Sequence, residues 1–249
     1  MTEHTFKVRA CTAVEEFERM VKLQMLVWGY SERDAVPTIM FVVAAKTGGQ
    51  VIGAFDGDQM VGFALAYPGI RDGKAYMHSH MAAVLPAYRD RGIGRELKLA
   101  QRADALARGI ACIEWTFDPL QAKNAYFNIC RLGVIVRHYL LNLYGSTSSP
   151  LHAGLPTDRL LAEWRLESGH VTNVLAGRPP KIGKDAERIN VALPSAGAPP
   201  GILAGVQMGI RERFQTLFAQ GYVVTWLERE VDGSASYVLE RPLGCSRAS

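Results

Sequence analysis

The chain has 249 residues, of which 48% are hydrophobic and 21% charged, and its formal net charge is +4. This composition is typical of a folded soluble protein and excludes a largely disordered chain. No Lys/Arg run is long enough for a nucleic-acid surface, and no stretch reaches the roughly 18 apolar residues of a membrane span. The small positive excess suits a ligand that carries several phosphates.

The four cysteines, Cys11, Cys112, Cys130 and Cys245, are scattered, without a C-x-x-C pair or metal-ligand spacing. The N-terminal residues lack a basic region followed by an apolar core, so no secretory signal is expected. These features predict a cytoplasmic protein that binds no metal, no nucleic acid and no membrane.

The first third of the chain is predicted to hold two helices and a run of antiparallel strands. Thr12 and Glu15 suggest a capping box at the start of the first helix, and Asp56-Gly57 indicates a hairpin. The predicted strands are 6–10, 50–55, 60–67 and 75–85, and the predicted helices are 13–28 and 38–45.

The middle third alternates helices and strands. Helix 94–108 is predicted to bury Leu97, Ala100, Ala103 and Ala107, with Gly109 at its end. Strand 110–117, helix 121–132 and strand 134–143 follow. Antiparallel strands followed by helical crossovers predict an α/β (α+β) fold with a mixed central sheet and helices on both faces.

The last third is less regular. Residues 145–157 are rich in Gly, Ser and Pro, which is typical of a linker or of a functional lid. A strand at 160–166 completes a predicted core domain of residues 1–166. Residues 167–249 form a predicted β-α-β-β extension, with strands near 189–193, 222–228 and 236–239 around a helix at 206–219.

The segment from Val84 to Arg95 carries the strongest functional signal. A strand ends at Pro86, and a turn with Gly92 and Gly94 leads directly into a long helix. Closely spaced glycines allow backbone N–H groups to converge, and together with a helix N-terminus they suit a pyrophosphate. A motif this short also occurs by chance in unrelated sequences, but its place between a strand and a helix supports the functional interpretation.

With Ala82-Ala-Val84-Leu-Pro86 followed by Arg89-x-x-Gly92-x-Gly94, the chain resembles the GNAT superfamily of N-acetyltransferases over roughly residues 5–166, with the seventh strand of that fold at 160–166. The resemblance implies that acetyl-CoA, or another acyl-CoA, is the cosubstrate. It implies further that backbone near 82–84 pairs with the pantetheine arm and directs an N–H at the thioester oxygen, where it stabilises an oxyanion. The residues so implied in cofactor binding are Ala82, Ala83, Val84, Arg89, Asp90, Arg91, Gly92, Ile93, Gly94, Arg95 and Asn124.

An amine must lose a proton before it attacks the thioester, so a base of near-neutral pKa is useful. His78 and His80 are two residues apart on one strand and are predicted to share a face with Ala82 and Val84. The pair resembles the two imidazoles of arylalkylamine N-acetyltransferases, which relay the proton outward. The alternative is a pair of packed or surface histidines.

Glu114, Thr116 and Asp118 alternate along a strand that is otherwise apolar. Polar residues that break the pattern of a covered strand tend to mark functional sites. Glu114 or Asp118 is therefore a second candidate base, acting through a water. Asp118, which precedes Pro119, is equally suited to cap a turn.

The sequence departs from the family at one catalytic position. Many members carry a Tyr four residues before the Gly that ends the helix after this strand, as the acid that protonates the thiolate. Ile129 stands there in this chain, and Tyr126, one turn earlier, is a candidate substitute.

The sequence thus predicts an N-acetyltransferase that moves an acetyl group from acetyl-CoA to a small-molecule amine by direct attack. The alternatives are a non-catalytic acyl-CoA-binding or regulatory module, favoured by Ile129, and an acyltransferase that acts on a protein amine. The extension is predicted to shape the acceptor pocket or to form a homodimer interface.

Overall fold

The computed structural model describes residues 6–145, 154–191, 200–229 and 234–241. The described residues form two compact units, one up to Trp115 and one from Thr116 onward. The predicted division at residue 166 into a core and an extension stays a prediction. Cys245 and most of the predicted linker 145–157 lie outside the described residues.

The first unit contains strands β1 to β5 and helices α1 to α3. The strands are β1 (Lys7–Ala10), β2 (Gln50–Asp56), β3 (Gln59–Arg71), β4 (Lys74–Val84) and β5 (Cys112–Phe117), whose last two residues belong to the second unit. The helices are α1 (Val14–Trp28), α2 (Thr38–Lys46) and α3 (Ile93–Ala107), with a 3₁₀ turn at Pro86–Tyr88 before α3.

The strands of this unit lie in the order β1-β2-β3-β4-β5. The first four pair antiparallel, and β5 pairs parallel with β4. The mixed sheet predicted from the sequence is therefore confirmed. The predicted hairpin is also present, and Gly57 supplies the positive φ of 58° that its turn requires.

Helices cover both faces of this sheet. Phe17 of α1 and Phe41 of α2 pack with Phe63 and Leu65 of β3 on one face. Ile93 and Leu97 of α3 pack against the other, in a cluster with Ile52, Ala54, Val61 and Ala64. Helices on both faces were expected, and this arrangement leaves β4 between two packed layers.

Two local predictions for these helices were wrong. Ala13, not Thr12, precedes the first turn of α1, and the carboxylate of Glu16, not Glu15, accepts the amides of Thr12 and Ala13 at 3.0 and 3.2 Å. Helix α3 buries Leu97 as expected, but Ala103 and Ala107 are exposed. Three residues that the apolar pattern left out are buried instead, namely Lys98, Gln101 and Ala105.

The second unit contains the remaining elements. They are α4 (Ala122–Tyr126), β6 (Ile135–Leu140), β7 (Arg159–Arg165), α5 (Gly169–Leu175), β8 (Glu187–Val191), α6 (Pro200–Ala219), β9 (Val223–Arg229) and β10 (Ala235–Glu240). The strands lie in the order β7-β6-β9-β10-β8. The short helix α5, capped by Ser168, was not predicted, and it adds an element to the expected β-α-β-β order.

The predicted helix 121–132 is not a uniform α-helix. It begins as α4 and continues as a π-helical turn, Phe127–Arg131, before Gly133 ends it with a φ of 77°. A π turn inserts one residue relative to an α-helix. The spacing between Asn124 and Gly133 is therefore not that of a regular helix.

No helix in the described part of the chain has the length and apolar character to cross a membrane. Cys11 and Cys130 are buried and Cys112 is partly buried, and none of the three is in a disulfide.

Candidate active site

The turn before α3 has the backbone of an anion site. Asp90 and Gly92 have positive φ angles, 63° and 84°. Such alternation turns successive N–H groups toward one side. Gly92 precedes α3 without a side-chain cap, and its carbonyl accepts the amides of Arg95 and Glu96. The amides of Ile93 and Gly94, which come first in the helix, thus point toward the space beyond it.

The space beside this turn is open and positively charged. A Cβ at Gly92 would meet no atom within 4 Å, so a phosphate can approach the backbone closely. Arg89 and Arg91 are exposed and Arg95 is partly buried. Arg91 lies over the ring of Tyr88 at 5.0 Å. The turn therefore combines backbone donors, a helix N-terminus and cationic side chains.

Strands β4 and β5 pair over only two positions, Met77 with Ile113 and His78 with Glu114. Beyond this point the described residues of β4 up to Val84 have no register partner on β5. The edge of β4 that faces this gap leads directly to the turn before α3. A gap between parallel strands offers backbone groups to an extended ligand, in the manner of an added strand.

A β-bulge lies at His80. Ser79 pairs with Ala66 of β3 and Met81 pairs with Leu65, so that His80 has no partner on β3. A bulge reverses the side on which the following residues lie. The prediction that His78 and His80 share a face with Ala82 and Val84 was therefore wrong.

The contacts on either side of the bulge show this reversal. Before it, Ser79 bonds to Gln101 of α3 at 3.0 Å, and after it, Met81 packs with the α1 and α2 cluster. Val84 packs with α3. The histidines lie on the α1 and α2 side, near Tyr67.

The two imidazoles are close to each other and to Tyr67. The ring centroids of His78 and His80 are 6.2 Å apart, and those of His80 and Tyr67 are 6.0 Å apart. The His80 side chain remains exposed, whereas His78 is partly buried. Desolvation lowers the pKa of both histidines, of His80 because the rings of Tyr67 and His78 flank its otherwise exposed imidazole, and the charge of His78 lowers the pKa of His80 further. Both rings are thus neutral down to a lower pH than a free histidine.

Glu114 lies beside His78 on β5 and is held by an arginine. The Arg71 guanidinium is 2.7 Å from the Glu114 carboxylate, which is only 8% exposed. Arg71 also lies over the ring of Tyr76 at 4.7 Å. Besides the dominant effect of burial, Glu114 raises the pKa of His78, while Lys98 and Arg71 lower it. Arg71 was not predicted from the sequence, because it ends a strand beside a turn, where arginines are common.

Lys98 was also missed. It is 4% exposed on α3, and its ammonium lies 2.7 Å from the Ser79 hydroxyl and 3.7 Å from the centre of the Trp115 ring. Burial lowers its pKa to about 7. The helical spacing of Leu97, Gln101 and Ala105 was the only sequence signal that placed position 98 on the covered side.

The remaining predicted residues belong to the second unit. Asp118 accepts the amide of Leu120 at 2.8 Å, as expected of a turn cap. Asn124 is exposed, and its side-chain oxygen accepts from Asn128 at 3.3 Å. Tyr126 is partly buried below the Arg229 guanidinium, and Ile129 is fully buried. The position of the family tyrosine is therefore part of the core.

Residues 17–128 match the model of the acetyltransferase (GNAT) family. No curated protein sequence matches the chain.

Many solved structures share the fold. The ribosomal-protein-S18-alanine N-acetyltransferase of Escherichia coli is 14% identical with a TM-score of 0.53, and the match covers 66% of this chain and 96% of that one. The acetyltransferase yncA of Salmonella typhimurium, solved with its cofactor acetyl-CoA, is 16% identical with a TM-score of 0.51, covering 67% and 97%. Ard1 of Thermoplasma volcanium is 11% identical with a TM-score of 0.50, covering 64% and 95%. At these identities the similarity establishes the fold.

Proposed function

We propose, from the premise that residues 17–128 form an acetyltransferase domain of the GNAT family, that the chain transfers an acetyl group from acetyl-CoA to the amine of a small molecule. The observation that carries this proposal is the gap beside β4. It begins where pairing with β5 ends at His78 and leads to the turn at Gly92. The proposal thus puts the reacting atoms and the cofactor phosphates along one continuous stretch of chain.

In this proposal the backbone from Asp90 to Arg95 binds the pyrophosphate of CoA. The positive φ angles of Asp90 and Gly92 and the open space above Gly92 support the fit. Arg89, Arg91 and Arg95 add positive charge. The turn binds mainly through N–H groups, so its affinity for phosphate depends on backbone shape more than on any one side chain.

The pantetheine arm is proposed to run beside β4 at Ala82, Ala83 and Val84, where it pairs with the strand edge. An N–H group of this stretch then points at the thioester oxygen. The charge that develops there in the tetrahedral intermediate is stabilised by a preorganised donor. Acetyl-CoA supplies the activated carbonyl carbon, and the protein fixes its position. Asn124 remains a proposed contact to this arm.

His80 is proposed as the general base and His78 as its relay partner. Their lowered pKa values support this role, because a base must be unprotonated before it accepts a proton. The amine gives its proton to His80 and attacks the carbonyl carbon, and the proton leaves by way of His78 toward Glu114. Glu114 remains the alternative base. Asp118 is the weaker candidate, since its carboxylate already caps a turn.

The leaving thiolate is proposed to take its proton from Tyr126. Because CoA thiolate is a fair leaving group, this acid contributes less than the base. The buried Ile129 at the family position favours a second candidate function, that of an acyl-CoA-binding module without turnover. A cytoplasmic location, a possible homodimer and an acceptor amine on a protein also remain proposals.

The test is to combine binding and turnover on the same purified chain. Acetyl-CoA is expected to raise Tm by preferential binding to the native state, and a panel of small amines is expected to release free CoA thiol. A rise in Tm without thiol release from any small amine or peptide amine would favour the binding module. No rise in Tm would contradict both functions.

A further inference from the structure

A buried cation lies at the point where β4 and β5 separate. Ser79 and Trp115 are the residues that follow the last paired position, His78 with Glu114, on their respective strands. The Lys98 ammonium contacts both, at 2.7 Å from the Ser79 hydroxyl and 3.7 Å from the Trp115 ring centre. It therefore occupies the apex of the gap from the α3 side.

This position is costly for a lysine. Among the residues that the structure describes, no carboxylate lies within ion-pair distance of Lys98. Asp104, six residues further along α3, pairs with Arg108 and accepts from Gln50 instead. A buried ammonium without an anion is strongly disfavoured relative to an apolar side chain of similar length. A helix position that needed only packing would be better served by Met or Leu.

We propose that Lys98 is a positioning residue of the acetyltransferase site: its side chain keeps β4 and β5 apart at the apex of the gap, and its charge disfavours protonation of His78 on the other face. The proposal rests on the proposed function only where it concerns turnover. Its electrostatic part concerns the protein alone and is measurable without substrate.

The charged and titratable groups that face His78 come from each neighbouring element. Lys98 of α3 and Arg71 of β3 disfavour its protonation, and Glu114 of β5 favours it. His80 lies on the same strand and Tyr67 opposite on β3. The opposing effect of Glu114 on the pKa of His78 is the larger, but Glu114 is bound by Arg71, whereas Lys98 has no carboxylate partner of its own among the described residues.

The first experiment measures the titration of the His78 ring by NMR in the wild-type chain and in Lys98→Met and Lys98→Gln. Loss of the cation is expected to raise the pKa of His78 by about one unit, as for a unit charge several ångströms away in a partly dry site. Lys46→Met, which removes an exposed cation of the same unit, is the control and is expected to leave it unchanged. An unchanged pKa of His78 in a folded Lys98 variant would overturn the proposal.

A second measurement covers the case in which neither variant folds. In the wild-type chain the chemical shift of the Lys98 Cε is expected to change with a midpoint near pH 7, as the ammonium loses its proton. The chemical shifts of the His78 ring are expected to change over the same pH range. Independent titrations of the two groups would overturn the electrostatic coupling.

The kinetic arm separates charge from shape. Lys98→Met keeps the length of the side chain, so acetyl-CoA affinity is expected to persist while the acidic limb of kcat/KM moves to higher pH. Lys98→Ala leaves the apex empty and is expected to weaken acetyl-CoA binding about tenfold. Equal affinity in the Met and Ala variants would refute the spacing role. A wild-type chain without turnover would instead refute the proposed function and leave the NMR result standing.

Discussion

The imidazole of His78 and the carboxylate of Glu114 lie on neighbouring parallel strands, at the last position where β4 and β5 pair. One residue further on, the strands have separated and the ring of His80 follows on the bulge. His78, His80 and Glu114 thus lie together where the gap begins.

The first prediction concerns the histidines. His80→Gln is expected to lower kcat/KM on the order of 10²-fold, as for a lost general base, and His78→Gln to lower it less. Since burial lowers both pKa values, the acidic limb of the wild-type pH profile is expected below pH 6.5. His138→Gln, an exposed histidine of the second unit, serves as the control. If His80→Gln keeps the wild-type kcat/KM and the wild-type acidic limb of the pH profile, His80 is not the base and Glu114 becomes the candidate.

The second prediction concerns the cofactor turn. Gly94→Glu places a carboxylate among the N–H groups that begin α3, and is expected to abolish the rise in Tm that acetyl-CoA produces. Ala103→Glu adds the same charge to an exposed position of α3, and acetyl-CoA is expected to raise the Tm of this variant as it does that of the wild-type chain. Equal stabilisation of both folded variants by acetyl-CoA would contradict a pyrophosphate site at this turn.

The third prediction concerns Tyr126 as the acid. Tyr126→Phe keeps the ring and its contact with Arg229, and removes only the hydroxyl. We expect kcat to fall about tenfold with little change in acetyl-CoA affinity, because an acid acts in the transition state. An unchanged kcat would mean that Tyr126 serves packing and that the thiolate leaves unaided.

The fourth prediction follows from the pKa of Lys98, which is lower in the folded chain than in the unfolded one. The folded state then binds fewer protons between about pH 7 and 10, so the free energy of unfolding rises with pH in that window and is lost as pH falls toward 7. Urea unfolding is expected to show this rise in the wild-type chain and not in Lys98→Met. Parallel curves for the two proteins would contradict the lowered pKa.

The fifth prediction concerns the extension. Strand β9 pairs with β6 at Val224 and Val136, and Phe214 of α6 is fully buried beside Tyr237. A chain that ends at Leu166 loses these partners and is expected to be insoluble, whereas one that ends at Arg241 stays soluble. A soluble fragment ending at Leu166 that binds CoA would show that the extension is an independent module.

The sequence was a good guide wherever a local signal determined the structure. The Asp56-Gly57 turn, the glycines before α3 and the helical spacing of α1 each act within a few residues, and the mixed sheet follows from their order. It failed where the outcome depended on distant partners. The residues near His80 give no sequence signal of a bulge, because the bulge depends on how β4 pairs with β3. Lys98 resembles a solvated helix residue until Ser79 and Trp115 are placed beside it.

The bulge at His80 also determines which substitutions and deletions β4 can tolerate. The odd-numbered residues up to Ser79 face α3, whereas the odd-numbered residues from Met81 onward face α1 and α2. A pattern of substitutions that suits one half of the strand therefore places side chains on the wrong face in the other half. Removal of His80 alone is expected to leave a regular strand in which both halves keep their layers, because Ser79 and Met81 already face opposite sides. Removal of any other single residue between 74 and 84 is expected to turn one half toward the wrong helices. The phase of the strand, and not only the identity of its histidine, is therefore a property that variants of this chain have to keep.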